Sequence, residues 1–154
     1  HTADVSWILL CRPKLVHLEK TNDPAFSSRA VGDGVAVVPQ EGTVCAPVSG
    51  TVAALFPTEH ALGIMSDDSS AQVMLHIGID TVKLEGKGFH ALVAQGDHVD
   101  AGQPLVEVDF DVVRAAGFDP TVFVIVCERS ENSTLREHAS GPVAVKEPVI
   151  WLSE

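Results

Sequence analysis

The sequence predicts an all-β fold, a sandwich or barrel with at most short helices. Short runs rich in Val, Ile and Leu recur along the chain, and many alternate apolar with polar residues. Gly, Pro, Asp and Ser cluster between these runs, where the chain must turn. Helical periodicity is confined to one stretch. Evenly spaced short strands of this kind build sandwiches and barrels.

In chain order, strands are expected at "WILLC" (7–11), "VAVVP" (35–39), "GTVCAP" (42–47), "GTVAALF" (50–56) and "ALGIM" (61–65). Others follow at "QVMLHI" (72–77), "PLVEVD" (104–109), "TVFVIVC" (121–127), "PVAVK" (142–146) and "PVIWL" (148–152). The helical stretch is "DFDVVRAAGF" (109–118), with Asp109 or Asp111 placed to cap it and Gly117 to end it. Two segments, "VCAPVSGTV" (44–52) and "QGDHVDAGQPLVEV" (95–108), look like variants of one device. Each sets Gly at a tight turn before an alternating strand, so positive φ is expected at those glycines. Pro47 and Pro104 mark strand edges.

A length of 154 residues suits one domain, taken as 1–154, with 1–14 an N-terminal strand or extension. With 45% hydrophobic and 20% charged residues, a packed core is expected rather than disorder. The formal charge of −11, without any basic run, argues against nucleic acid or anionic lipid as a partner. Partners with basic patches fit better. Cys11, Cys45 and Cys127 are odd in number and lack CxxC spacing, so a reduced cytoplasmic setting is expected, without a disulfide framework. The run "VSWILLC" (5–11) is too short to span a bilayer, and its flanks do not make it a signal peptide. Opening at His1 without Met, the sequence reads as trimmed or as cut from a longer polypeptide.

Seven histidines are present. His1 is terminal; His17, His90, His98 and His138 lie among polar or turn residues and are read as surface side chains. His60 and His76 differ. His60 follows "FPTE" and opens "ALGIM", while His76 sits within the apolar "VMLHI". If those strands pair as a hairpin about "SDDSS" (66–70), the two imidazoles meet at one end of the ladder.

Three chemistries use such a pair. A zinc site needs a further ligand, for which Asp23, Asp33 and Asp80 are candidates, but no HxH or HExxH grouping is present. General-base catalysis needs a nucleophile, and no Gly-x-Ser-x-Gly elbow occurs. The third makes one histidine the nucleophile for a phosphoryl group. That requires a neutral ring, one nitrogen held by an acceptor, and a second donor to steady the phosphate oxygens. The Gly78 carbonyl could take the Nδ1–H of His76, leaving Nε2 to attack, with His60 as the donor. Asp33, between two glycines, is read as a turn-former.

Several segments occur in an order that resembles one family: "NDPAF" (22–26), "VGDGVAVVP" (31–39), "APVSGTV" (46–52), "TEHALGI" (58–64), "HIGIDTVKLEGKGF" (76–89) and "GDHVDAGQPL" (96–105). It is the glucose-type enzyme IIA of the bacterial phosphoenolpyruvate-dependent sugar phosphotransferase system. The resemblance runs from about Leu15 to the C-terminus and is most specific in His-x-Gly-Ile-Asp-Thr-Val. "APVSG" and "GDxVxxGQPL" are weaker, because biotinyl and lipoyl carrier domains show similar turns. "CRPKLVHL" (11–18) departs from the Pro-x-Ser-Gly turn usual in the family.

The resemblance implies a phosphoryl carrier with the family's compact antiparallel β-sandwich or barrel-sandwich of duplicated hybrid motifs. It implies that His76 is phosphorylated by the phospho-carrier HPr and that His60 assists transfer to a sugar-specific IIB domain. Thr58 would hydrogen-bond His60, the Gly78 carbonyl would orient His76, and Asp23 and Asp80 would flank the site. Phe26, Val31, Phe56, Met74 and Val82 would form an apolar docking ring. The intermediate is a covalent phosphohistidine, so no cofactor or metal is expected. Two rivals remain. A biotinyl or lipoyl carrier needs a lysine in a setting that Lys83 and Lys87 in "VKLEGKG" lack, and a zinc peptidase needs further ligands.

Overall fold

A computed structural model describes the backbone at residues 2–6, 14–17, 33–38, 42–67, 71–129, 134–137, 141–142 and 148–153, and side chains at 34, 36–38, 42–67 and 71–127. The strands are β1 (Thr2–Ser6), β2 (Lys14–His17), β3 (Asp33–Val38), β4 (Gly42–Cys45), β5 (Gly50–Leu55), β6 (Ala61–Ser66) and β7 (Ala71–Ile77). After a 3-10 turn at Thr81–Leu84 come β8 (Phe89–Ala91), β9 (His98–Val99) and β10 (Pro104–Val108). Helix α1 (Phe110–Ala115) leads to β11 (Val122–Arg129), β12 (Thr134–Glu137), β13 (Gly141–Pro142) and β14 (Pro148–Ser153). The all-β expectation holds. Residues 7–11 and 143–146, expected as strand, lie outside the described residues.

One sheet has eight strands in the order β13-β2-β3-β11-β7-β6-β5-β9; β4-β10-β8 and β1-β14-β12 form two smaller sheets. The main core lies between the eight-stranded sheet and β4-β10-β8. Leu62, Val73, Leu75, Ile77, Val122 and Val124 on one side meet Val44, Phe89, Val106 and Val108 on the other. In β7 the alternation is strict: Val73, Leu75 and Ile77 are buried, while Gln72, Met74 and His76 on the opposite face are half-buried. Its neighbour β11 is buried on both faces from Val122 to Val126, which explains its uninterrupted apolar run. The second face of β11 presents Phe123 and Ile125, which cluster with Ala36 and pack against Met74, Ile79 and Cys127. Each such large, fully buried side chain contributes on the order of 2 kcal/mol.

The two glycine-bearing segments interlock. Ala46 donates to the Gln103 carbonyl and Gly102 donates back to Ala46, each at 2.8 Å. Gly96 and Gly102 adopt φ of 95° and 90°, as expected. Gly50 differs, and its role is a close approach. A Cβ there would sit 2.1 Å from the Met65 carbonyl oxygen across the β5–β6 ladder. Asp33 is also reassigned: it opens β3 opposite Val126 instead of forming a turn. Asp109 caps α1, accepting from the Asp111 and Val112 amides. Among the described residues, no helix is long and apolar enough to cross a membrane.

Candidate functional site

The β6–β7 hairpin places the two singled-out histidines together. Ala61 pairs with His76 across the ladder, and the Ile77 amide donates to the His60 carbonyl at 2.7 Å. The ring centroids of His60 and His76 stand 5.2 Å apart with planes at 84°. On its other side His76 meets the edge of Phe123, directly opposite it on β11, at 6.3 Å between centroids. Phe56 packs edge-on against His60 at 5.5 Å.

His60 is held by the turn between β5 and β6. Phe56 donates to the Ala61 carbonyl at 3.0 Å, and Glu59 donates back to Phe56 at 2.8 Å. Closing this turn puts Glu59 at φ 63°, a left-handed conformation that a non-glycine residue adopts at a cost of about 1–2 kcal/mol. Thr58, two residues before His60, reaches its Nδ1 with Oγ1 at 2.5 Å. His60 is only 3% exposed. Burial, and secondarily the neighbouring His76, push its pKa below the ordinary histidine value, so the ring is neutral at physiological pH.

His76 is oriented by the chain that follows it. Gly78 turns at φ 80°, and its carbonyl oxygen lies 2.8 Å from His76 Nδ1. A carbonyl only accepts, so this bond holds the proton on Nδ1 and makes Nε2 the ring's nucleophilic atom. Asp80, exposed at φ 61°, leads into the 3-10 turn. Thr81 is fully buried and its hydroxyl donates to the Ile77 carbonyl at 2.5 Å. One left-handed non-glycine residue thus directly precedes His60 and another, Asp80, stands on the turn after His76, the kind of stored strain that accompanies preorganised sites.

Phe56 is 45% and Val82 51% exposed, whereas Met74 is half-buried against the Phe123–Ile125 cluster. Asp23, Phe26 and Val31 lie outside the described residues. A recess of about 630 Å³ lined by Gly88, His90, Glu107 and Asp109 includes neither His60 nor His76. His90 and His98 are exposed, and His98 pairs with Asp67 at 3.0 Å. Among the described residues, no three His, Cys, Asp or Glu side chains gather as a metal would require.

Sequence reasoning passed over Thr81, Phe123 and the segment Asp119–Thr121. Gly78 donates to the Thr121 carbonyl at 2.8 Å, and Ile79 to the Asp119 carbonyl at 3.0 Å. The signal was there in "DPT", an Asx-Pro turn sequence, but nothing local ties it to a histidine more than forty residues away.

Residues 8–132 match the family model described as phosphoenolpyruvate-dependent sugar phosphotransferase system, EIIA 1. The chain is 42% identical over 136 residues to the PTS system glucose-specific EIICBA component of Streptococcus pneumoniae, covering 88% of this chain and 19% of that protein. It is 43% identical over 136 residues to the PTS system beta-glucoside-specific EIIBCA component of Bacillus subtilis, covering 88% and 22%. It therefore spans about a fifth of the length of these relatives, whose names join an EIIA unit with EIIB and EIIC. Among solved structures, glucose permease IIA from Mycoplasma capricolum superimposes with a TM-score of 0.86 at 33% identity, over 98% of this chain and 96% of that one. With the matched stretch running through both histidines and into β11, the chain belongs to the EIIA family of the phosphoenolpyruvate-dependent sugar phosphotransferase system.

Proposed function

We propose that His76 accepts a phosphoryl group on Nε2 from the phospho-carrier HPr and passes it to the IIB domain of a sugar permease. The observation that carries this reading is the 2.8 Å contact between His76 Nδ1 and the Gly78 carbonyl. As the Nε2 lone pair forms the bond to phosphorus, the donor's bond to phosphorus breaks. The imidazole then gains positive character, and the Nδ1–H bond to Gly78 becomes charge-assisted. No proton has to leave the ring.

His60 supplies the second requirement. In this reading the Thr58 hydroxyl, 2.5 Å from its Nδ1, donates to that nitrogen, so the neutral ring carries its proton on Nε2 and can donate to a phosphoryl oxygen. A neutral donor does not trap the dianion as a fixed cation would, so the group stays transferable. Asp80 on the loop after His76, and Asp23 by the family's pattern, would add repulsion that keeps transfer potential high. Phe56 and Val82 give an apolar docking rim, to which Met74 and, by the family's pattern, Phe26 and Val31 would add.

The phosphoryl group is held covalently and needs no cofactor. A cytoplasmic setting fits three cysteines, an odd number without CxxC spacing. The formal charge of −11 favours donors and acceptors with basic faces. The test is incubation with phosphoenolpyruvate, enzyme I and HPr, followed by addition of a IIB domain. The wild-type chain should take up one acid-labile phosphoryl group and lose it to IIB. The His76→Ala chain should take up none, and uptake by it would refute the assignment.

A further inference from the structure

Asp119 lies on a different strand connection from either histidine, yet the structure ties it to His76 through one peptide unit. The Gly78–Ile79 peptide is planar, so its carbonyl and its N–H point in opposite, coupled directions. The carbonyl faces His76 Nδ1 at 2.8 Å, and the N–H of the same unit donates to the Asp119 carbonyl at 3.0 Å. The preceding unit is held too, by the Gly78 amide donating to the Thr121 carbonyl at 2.8 Å. Both acceptors belong to the short segment Asp119-Pro120-Thr121 that feeds into β11.

The carboxylate of Asp119 locks that segment. Its Oδ1 accepts from the Thr121 amide at 2.9 Å and from the Thr121 hydroxyl at 2.5 Å. Pro120 limits both its own φ and the conformation of Asp119 before it. Gly78 is also wedged: a Cβ there would lie 2.3 Å from Thr81 Cγ2 and 3.1 Å from the Asp119 carbonyl. The peptide that faces His76 is therefore clamped from the side opposite the ring.

We propose that Asp119 is a positioning residue for His76: by closing the Asp119–Thr121 turn it holds the Gly78–Ile79 peptide and so sets which imidazole nitrogen is nucleophilic. This rests on the reading of His76 as the phosphoryl acceptor, but its first consequence exists without any phosphate. Loss of the clamp lets the carbonyl swing, and the ring then populates the Nε2–H tautomer, which cannot attack through Nε2.

The test is ¹⁵N NMR of the imidazole nitrogens in the unphosphorylated wild type and in Asp119→Ala and Asp119→Asn. The wild type should show the Nδ1–H tautomer alone. Asp119→Ala should show a mixture, with uptake from phospho-HPr slowed about tenfold, a barrier change of about 1.4 kcal/mol. Asp119→Asn keeps an Oδ1 acceptor and should restore both. A single wild-type tautomer in Asp119→Ala overturns the proposal, and so does an Asn variant as impaired as Ala. Should Asp119→Ala not fold, Thr121→Val carries the test. It removes the hydroxyl bond to the carboxylate and must itself show the second tautomer. If wild-type His76 shows the Nδ1–H tautomer but takes up no phosphate, the acceptor reading fails while the positioning inference stands.

Discussion

His60 and His76 stand edge to face at 5.2 Å, yet their Nδ1 atoms are engaged by partners of different capability. The Gly78 carbonyl beside His76 can only accept, whereas the Thr58 hydroxyl beside His60 can donate. That difference lets two identical side chains take different parts, one as nucleophile and one as donor.

The titration of His60 follows from its burial. Its folded pKa is depressed, so the folded state binds fewer protons than the unfolded chain as pH falls below about 6.5. Its contribution to stability is intact above that value and is lost as pH drops towards and through the depressed folded pKa. Imidazole ¹H shifts should place the His60 midpoint below 6.5. After His76 is phosphorylated, the adjacent dianion should raise it. A midpoint at or above 6.5 in the unphosphorylated protein would contradict the assignment of a neutral donor.

Thr58 acts through His60. Thr58→Val keeps the shape and removes the hydroxyl, and a lost buried hydrogen bond costs about 1–3 kcal/mol. Transfer from the phosphorylated chain to IIB should slow by about one to two orders of magnitude. The same substitution in a His60→Gln background should add little, because the ring it orients is gone. Additive losses, measured by rapid quench, would mean that Thr58 works independently of His60.

Two glycines with similar backbone conformations should respond differently to alanine. Gly78 and Gly96 both have positive φ, 80° and 95°. Each substitution incurs about 1–2 kcal/mol from the left-handed conformation alone. At Gly96 nothing lies within 4 Å of the new methyl, while at Gly78 it meets Thr81 Cγ2 at 2.3 Å. Urea unfolding should show Gly78→Ala as clearly the more destabilised. Equal losses would mean the Gly78 turn is not tightly packed.

The strands and the hairpin that unites the histidines were legible because their signals are local. Alternation in "AQVMLHI", turn residues at 66–70 and the apolar run of β11 need only a few neighbouring residues to read. The Asp109 cap was legible for the same reason. Short strands such as β8 and β9 were missed because two or three residues carry no periodicity. Gly50 was assigned positive φ because sequence cannot distinguish a glycine needed for its φ from one needed for closeness to another strand. The Asp119 clamp was missed because it depends on β11 lying beside β7, a relation between distant segments.

The most direct measurement is the site of phosphorylation on chain labelled with ¹⁵N at histidine and phosphorylated through phosphoenolpyruvate, enzyme I and HPr. The account predicts a ³¹P–¹⁵N coupling to Nε2 of His76, with His60→Gln still accepting the group but passing it on to IIB poorly. Coupling to Nδ1 of His76, or to either nitrogen of His60, would contradict it.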